Sequence, residues 1–136
     1  MRATAVVPVK RFAVAKSRLA AGVDATRKPE LVAAMVADVL EAIGAARSIE
    51  RTIVVSQEPV AAELAAAAGV ELLADFDDSS HITAALAGIE AAAAAGARCV
   101  ALLPGDCPLL DPRELDKMLT GVPDPYVAVI PDRHGT

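Results

Sequence analysis

Strand-like apolar runs alternating with helical stretches constrain this chain more than any other feature. The runs are Val6–Val9, Ile53–Val55, Val70–Leu73, Cys99–Leu103 and Tyr126–Ile130. Each of the first four is followed by a turn and then by a helical pattern. Leu31, Val32, Met35, Val36, Val39, Leu40 and Ile43 recur at three- and four-residue spacing, which predicts an amphipathic helix of about four turns. Pro29 suits its first turn. Residues 60–68 are mostly Ala, Val and Leu, a helix by propensity, and Gly69 suits its C-cap. An Ala-rich helix from Ile82 to Ala95 closes at Gly96. Asp111-Pro112-Arg113-Glu114 reads as a capping box opening a short helix, Glu114 to Leu119. Strand, loop and helix in repeated succession predict a mainly parallel sheet with helices on both faces, an α/β fold. The fourth run is apolar throughout, which predicts a central strand.

The 136 residues suffice for one domain, 1–136, with its own core. Aromatic residues make up only 2% and Trp is missing, so Ala, Val, Leu and Ile must build that core. Scarce aromatics and a formal net charge of −5 argue against a nucleic-acid partner. No apolar run reaches the roughly 18 residues that a membrane span needs. Arg2 leads into a strand and Lys10 interrupts the apolar run, so no signal peptide is expected. Cys99 and Cys107 form no disulfide framework, and a reducing cytoplasm is the expected compartment.

The chemistry-bearing residues gather after the strands. Pro8 cannot donate to a ladder, so the first strand should end there. Lys10, Arg11, Lys16 and Arg18 then place four cations within nine residues. Ligands of open α/β sheets bind at the carboxyl ends of strands, and Lys and Arg suit phosphate. Two readings are open: an anion cradle for a nucleotide triphosphate, or a solvated basic turn. Asp106 follows the fourth run in a turn shaped by Gly105, Pro104 and Pro108. It suits Mg²⁺, which takes one or two carboxylates plus phosphate oxygens. The other reading is an Asx turn. Cys107 with His134 makes a weak thiolate pair, and Cys107 is expected to pack beneath its turn. Asp75, Asp77 and Asp78 fit no EF-hand spacing and read as a solvated loop, and His81 as a cap or surface residue. GxGxxG, GxxxxGK[ST] and GxSxG are all missing, which removes the dinucleotide, P-loop and α/β-hydrolase readings.

Three pieces, VVPVKRFAVAKSRLA, LLPGDCPLL and VIPDRHGT, occur in order along the chain. Together they resemble the 2-phospho-L-lactate or phosphoenolpyruvate guanylyltransferase family, which makes the precursor of the deazaflavin coenzyme F-420. The resemblance implies a Rossmann-like nucleotidyltransferase three-layer sandwich. The family's PVK…AKSRL segment falls on Pro8, Val9, Lys10, Ala15, Lys16, Ser17, Arg18 and Leu19, implying GTP phosphate binding, with Lys16 and Arg18 catalytic. Ser56, Thr83 and Gly105 are implied as further nucleotide contacts. The GDxP turn falls on Gly105, Asp106 and Pro108, implying a catalytic Asp106 that holds Mg²⁺. The DRxGT segment falls on Asp132, Arg133, Gly135 and Thr136, implying contact with the phosphorylated three-carbon acid.

Two departures stand out. Where the family has an Asn in a GLNAAL-like run, this chain has His81-Ile82-Thr83-Ala84-Ala85-Leu86. The family also continues past Thr136 with substrate and metal ligands, so the chain looks like an N-terminal two thirds. Uncovered apolar surface would then leave a homodimer open. The activity implied is transfer of GMP from GTP to the phosphate of phosphoenolpyruvate, 2-phospholactate or a related acid. Alternatives are a nucleotide-binding fragment without turnover and a sugar-nucleotide glycosyltransferase-like domain. The latter tends to carry paired aspartates at its metal turn, where this chain has only Asp106.

Overall fold

The computed structural model describes residues 2–10, 28–74, 81–107 and 109–121. They form β1 (Ala3–Pro8), α1 (Lys28–Ala45), β2 (Ile49–Val55), α2 (Pro59–Ala68), β3 (Glu71–Leu73), α3 (His81–Ala94), β4 (Val100–Leu102) and α4 (Pro112–Thr120). The four strands pair in the order β3-β2-β1-β4, and every pairing is parallel. The expected mainly parallel α/β sheet is therefore the one observed. The expected fifth strand, Tyr126–Ile130, lies outside the described residues.

β1 is the spine of the sheet. All six of its residues are buried, and it pairs with β2 on one side and β4 on the other. Its side chains alternate between faces, as strand geometry requires. Ala5, Val7 and Val9 join Val54 of β2 against Val32, Val36, Val39, Leu40 and Ile43 of α1 and Ala61 and Ala65 of α2. Val6 joins Ile53 and Val55 of β2 against Ala84 and Ala92 of α3. Helices thus cover both faces.

Small residues set the spacing on the second face. A Cβ built on Gly88 of α3 would lie 2.3 Å from Val6 Cγ1 and 2.8 Å from Val55 Cγ2. The helix backbone therefore rests directly on two valines of the sheet. Elsewhere glycine serves as a stop. Gly69 adopts φ 72°, and its N–H and that of Val70 donate to the last carbonyls of α2, those of Ala66 and Ala65.

Three expectations need correction. β2 begins four residues before the apolar run, because Glu50, Arg51 and Thr52 pass from exposed through half-buried to buried as the strand enters the core. An apolar run marks only the doubly covered half of such a strand. The central place expected of β4 turns on the Tyr126–Ile130 run, which lies outside the described residues; among the described strands β4 ends the row. The opening of α4 is not a full capping box. Asp111 accepts from the Arg113 N–H at 2.8 Å, one position short of Glu114. Finally, Cys107 is exposed and does not pack beneath its turn, because the turn seats itself through Gly105 and Leu110 instead.

Gly88→Ala should destabilise the protein. The helix-propensity gain of about 1 kcal/mol is outweighed by overpacking that costs about 1–3 kcal/mol. A lowered urea midpoint with an unchanged slope is the expected result; a raised midpoint would show that α3 can move off the sheet.

Candidate active site at the carboxyl ends of β1 and β4

The strand order places a topological switch at β1. From β1 the chain crosses by α1 to β2, and α1 packs on one face. It reaches β4 from β3 by way of α3, which packs on the other face. Between β1 and β4 the connections therefore part to opposite faces and leave a crevice at the carboxyl ends, where open α/β sheets bind ligands.

Both walls of that crevice are fixed by backbone bonds. Val9 N donates to Val55 O at 2.9 Å, which holds the chain leaving β1 against β2. Leu103 N donates to Val6 O at 2.9 Å, and Thr4 N donates to Cys99 O at 3.0 Å. Pairing to β1 thus extends one residue beyond β4 at each end. The turn that follows lies against β1. A Cβ on the buried Gly105 would stand 3.0 Å from Val9 Cγ2, 3.5 Å from Pro8 O and 3.6 Å from Val36 Cγ2. Any side chain here would press on Val9, so glycine suits this close approach, and Asp106 is held beside the chain that continues into Lys10. Lys10 is exposed and Asp106 is half-buried.

Among the sequence-derived site residues, the structure brings Pro8, Val9, Lys10, Ser56, Gly105 and Asp106 to one edge of the sheet. Ser56 is buried at the end of β2; its N–H donates to Leu73 O at 3.1 Å and its Oγ accepts from the Glu58 N–H at 3.0 Å. That hydroxyl shapes the turn into α2. Thr83 is half-buried in the first turn of α3, which starts on the same side of the sheet. Lys16, Ser17, Arg18, Pro108, Asp132, Arg133, Gly135 and Thr136 lie outside the described residues, as do Arg11, His134 and the loop with Asp75, Asp77 and Asp78. The side chain of His81 lies outside them too.

Among the described residues no three His, Cys, Asp or Glu side chains gather into a metal cluster. Asp106 offers a single hard oxygen ligand. That fits Mg²⁺, which takes few protein carboxylates and completes its shell with substrate phosphates and water.

A cleft of about 270 Å³ opens at the other end of the sheet, lined by Ile43, Ile49, Arg51, Thr52, Val70 and Glu71 among others. It lies at the amino ends of β2 and β3, where this fold class does not place its ligands. Its Arg51 guanidinium grips the Glu71 carboxylate with two nitrogens. The hydrogen bond from Arg51 holds the Glu71 carboxyl below its ordinary range, and that bond raises Arg51 in turn.

A third feature had no local signal in the sequence. Asp116 of α4 accepts from Ser48 Oγ at 2.5 Å, from Ser48 N at 2.7 Å and from Arg47 N at 3.0 Å, across 68 and 69 positions of chain. The Ser48 hydroxyl first, then the two backbone N–H groups, hold the Asp116 carboxyl below the usual carboxylate range.

The family model described as "Guanylyl transferase CofC like" matches residues 3–136. The chain belongs to this family. It is 39% identical over 138 residues to a phosphoenolpyruvate guanylyltransferase of Conexibacter woesei, covering 99% of this chain and 61% of that protein. Those of Sphaerobacter thermophilus and Mycolicibacterium smegmatis are each 34% identical, with 64% and 61% of their lengths covered. The chain thus spans about three fifths of the length of these curated relatives. Among solved structures, CMP:2-keto-3-deoxy-manno-octonic acid synthetase complexed with CTP superimposes with a TM-score of 0.63 at 19% identity, over 89% of this chain and 47% of that one. A cytidylyltransferase from Leptospira borgpetersenii gives 0.63 at 20% identity, over 88% and 48%. At these identities the likeness is one of fold, the Rossmann-like nucleotidyltransferase fold.

The sign of the Asp116 effect fixes its pH dependence. A depressed folded pKa contributes stability above the unfolded value, about 3.9, and that contribution is lost as pH falls through the folded value. The stability gap between the wild type and Asp116→Ala should be full at neutral pH and should close below about pH 4. Urea titrations at a series of pH values measure it; a gap of equal size at pH 7 and at pH 2.5 would assign the loss to helix packing alone.

Proposed function

We propose that the protein acts as a guanylyltransferase that joins GMP from GTP to the phosphate of a small phosphorylated acid, phosphoenolpyruvate or 2-phospho-L-lactate, in coenzyme F-420 biosynthesis. The observation that supports this most is the seat of Gly105 on Val9 and Pro8, which sets Asp106 beside the chain that leads into Lys10. Membership of the guanylyl transferase family gives the reading its reaction class.

In the reaction a phosphate oxygen of the acid attacks the α-phosphorus of GTP. One P–O bond forms to the acid's phosphate, the α–β anhydride bond breaks, and pyrophosphate leaves with its electrons. The nucleophile is already an oxyanion, so no side chain has to remove a proton. The work left to the chain is positioning and charge neutralisation. Lys10 stands at the mouth of the crevice, and we assign Lys16, Ser17 and Arg18 of the same basic segment to the triphosphate. Asp106 would hold Mg²⁺, which when bound neutralises charge on the transferring phosphoryl group. Pro8, Val9 and Gly105 contribute close backbone approach. Ser56 and Thr83, on the carboxyl side of the sheet, are assigned to the nucleoside, and Asp132, Arg133, Gly135 and Thr136 to the acid.

Asp106→Asn in the full-length protein should lower pyrophosphate release by at least about 100-fold, since even residues that only orient metal ligands cost 10–100-fold. Its circular dichroism and melting should stay close to wild type, because Asp106 is outside the core. Near-normal rates with Mg²⁺ would remove the metal assignment. Lys16→Ala and Arg18→Ala should each weaken GTP binding more than acid binding, measured by calorimetry at fixed salt. Unchanged GTP affinity would return them to an ordinary solvated turn.

A further inference from the structure

The two walls of the crevice belong to two different units of chain. Lys10 continues from β1, which is bound to β2 over six register pairs. Asp106 belongs to the stretch from β4 to α4, and β4 pairs with β1 over three, with one flanking bond at each end. So short a parallel ladder resists shear weakly, since each bond adds little net stability. Other ties must fix the distance between the walls. At the carboxyl end the tie is Gly105 on Val9. At the amino end it is Asp116, whose carboxylate takes three donors from the α1–β2 turn. That turn is itself bound to the root of β1, since Ala3 N donates to Ser48 O at 2.7 Å. Between the two ties Leu115 of α4 is buried and Leu110 packs on the α1 face of the core.

The structure assigns Asp116 as a positioning residue: by clamping α4 to Arg47 and Ser48, it sets the separation of the Asp106 turn from Lys10 at the end of β1. This rests on the function proposed above, and Asp116 itself touches neither substrate nor metal. Its three bonds do more than cap a turn, because they join the unit carrying one wall of the site to the unit carrying the other.

The test uses the full-length protein and two readouts. Asp116→Ala should raise the Mg²⁺ concentration for half-maximal pyrophosphate release about tenfold. It should also speed hydrogen exchange of the amides of Leu103, Gly105, Asp106 and Cys107 at a temperature where both proteins are folded. Ser48→Ala keeps two of the three bonds and should move both readouts in the same direction by less. A purely structural role would lower the melting temperature and leave the Mg²⁺ dependence where it was. Unchanged Mg²⁺ dependence together with unchanged exchange at those amides overturns the assignment, and Ser48→Ala decides it if Asp116→Ala fails to fold. Should the wild type release no pyrophosphate from GTP, the proposed function fails, and the exchange measurement still decides the clamp.

Discussion

The parallel pairing of β1 on both of its edges is the constraint from which the other features follow. A strand with all six residues out of water must be apolar on both faces and hydrogen-bonded along both edges. Covering its two faces requires helices on opposite sides. Satisfying its two edges requires neighbours reached by crossovers running in opposite directions. The crevice beside it at the carboxyl end is what remains once those demands are met. Its position therefore comes from the fold, and its chemistry from the residues at its rim.

Much of this could be read from the chain itself because the signals are local. Pro8 ends β1 for want of an N–H, Gly69 ends α2 in the left-handed region, and the helix spacing of Leu31 to Ile43 returns as α1. The Asp106 turn was legible because an apolar strand, a glycine and a carboxylate stand next to one another. What could not be read depends on contacts distant in sequence. Nothing near Asp116 announces that it meets Ser48 some 68 positions away. Nothing near Cys107 tells whether its turn buries the thiol or the glycine two places before it. Gly88 is an intermediate case. A glycine inside an alanine-rich helix is a visible anomaly, but only the sheet beneath it explains why alanine would not serve.

The two ends of the sheet divide the labour. At the amino end, side chains pair with one another: Arg51 with Glu71 across β2 and β3, and Asp116 with the α1–β2 turn. At the carboxyl end of β1 and β4, a glycine and a proline bring backbone close, and polar groups such as Lys10 point their charge toward solvent. A chain of acidic net charge thus presents the exposed cation of Lys10 at this end.

The contact at Gly88 also works as a notch. Val6 and Val55 occupy the space that any side chain there would take, so α3 has a single seat along its own axis. A slide of one turn, about 5.4 Å, would carry the methyl of Ala84 or Ala92 onto the same two valines. The altitude of the first turn of α3, and of Thr83 with it, is therefore gauged from the floor of the molecule and not from the loop before it. Two valines and a missing methyl level the rim.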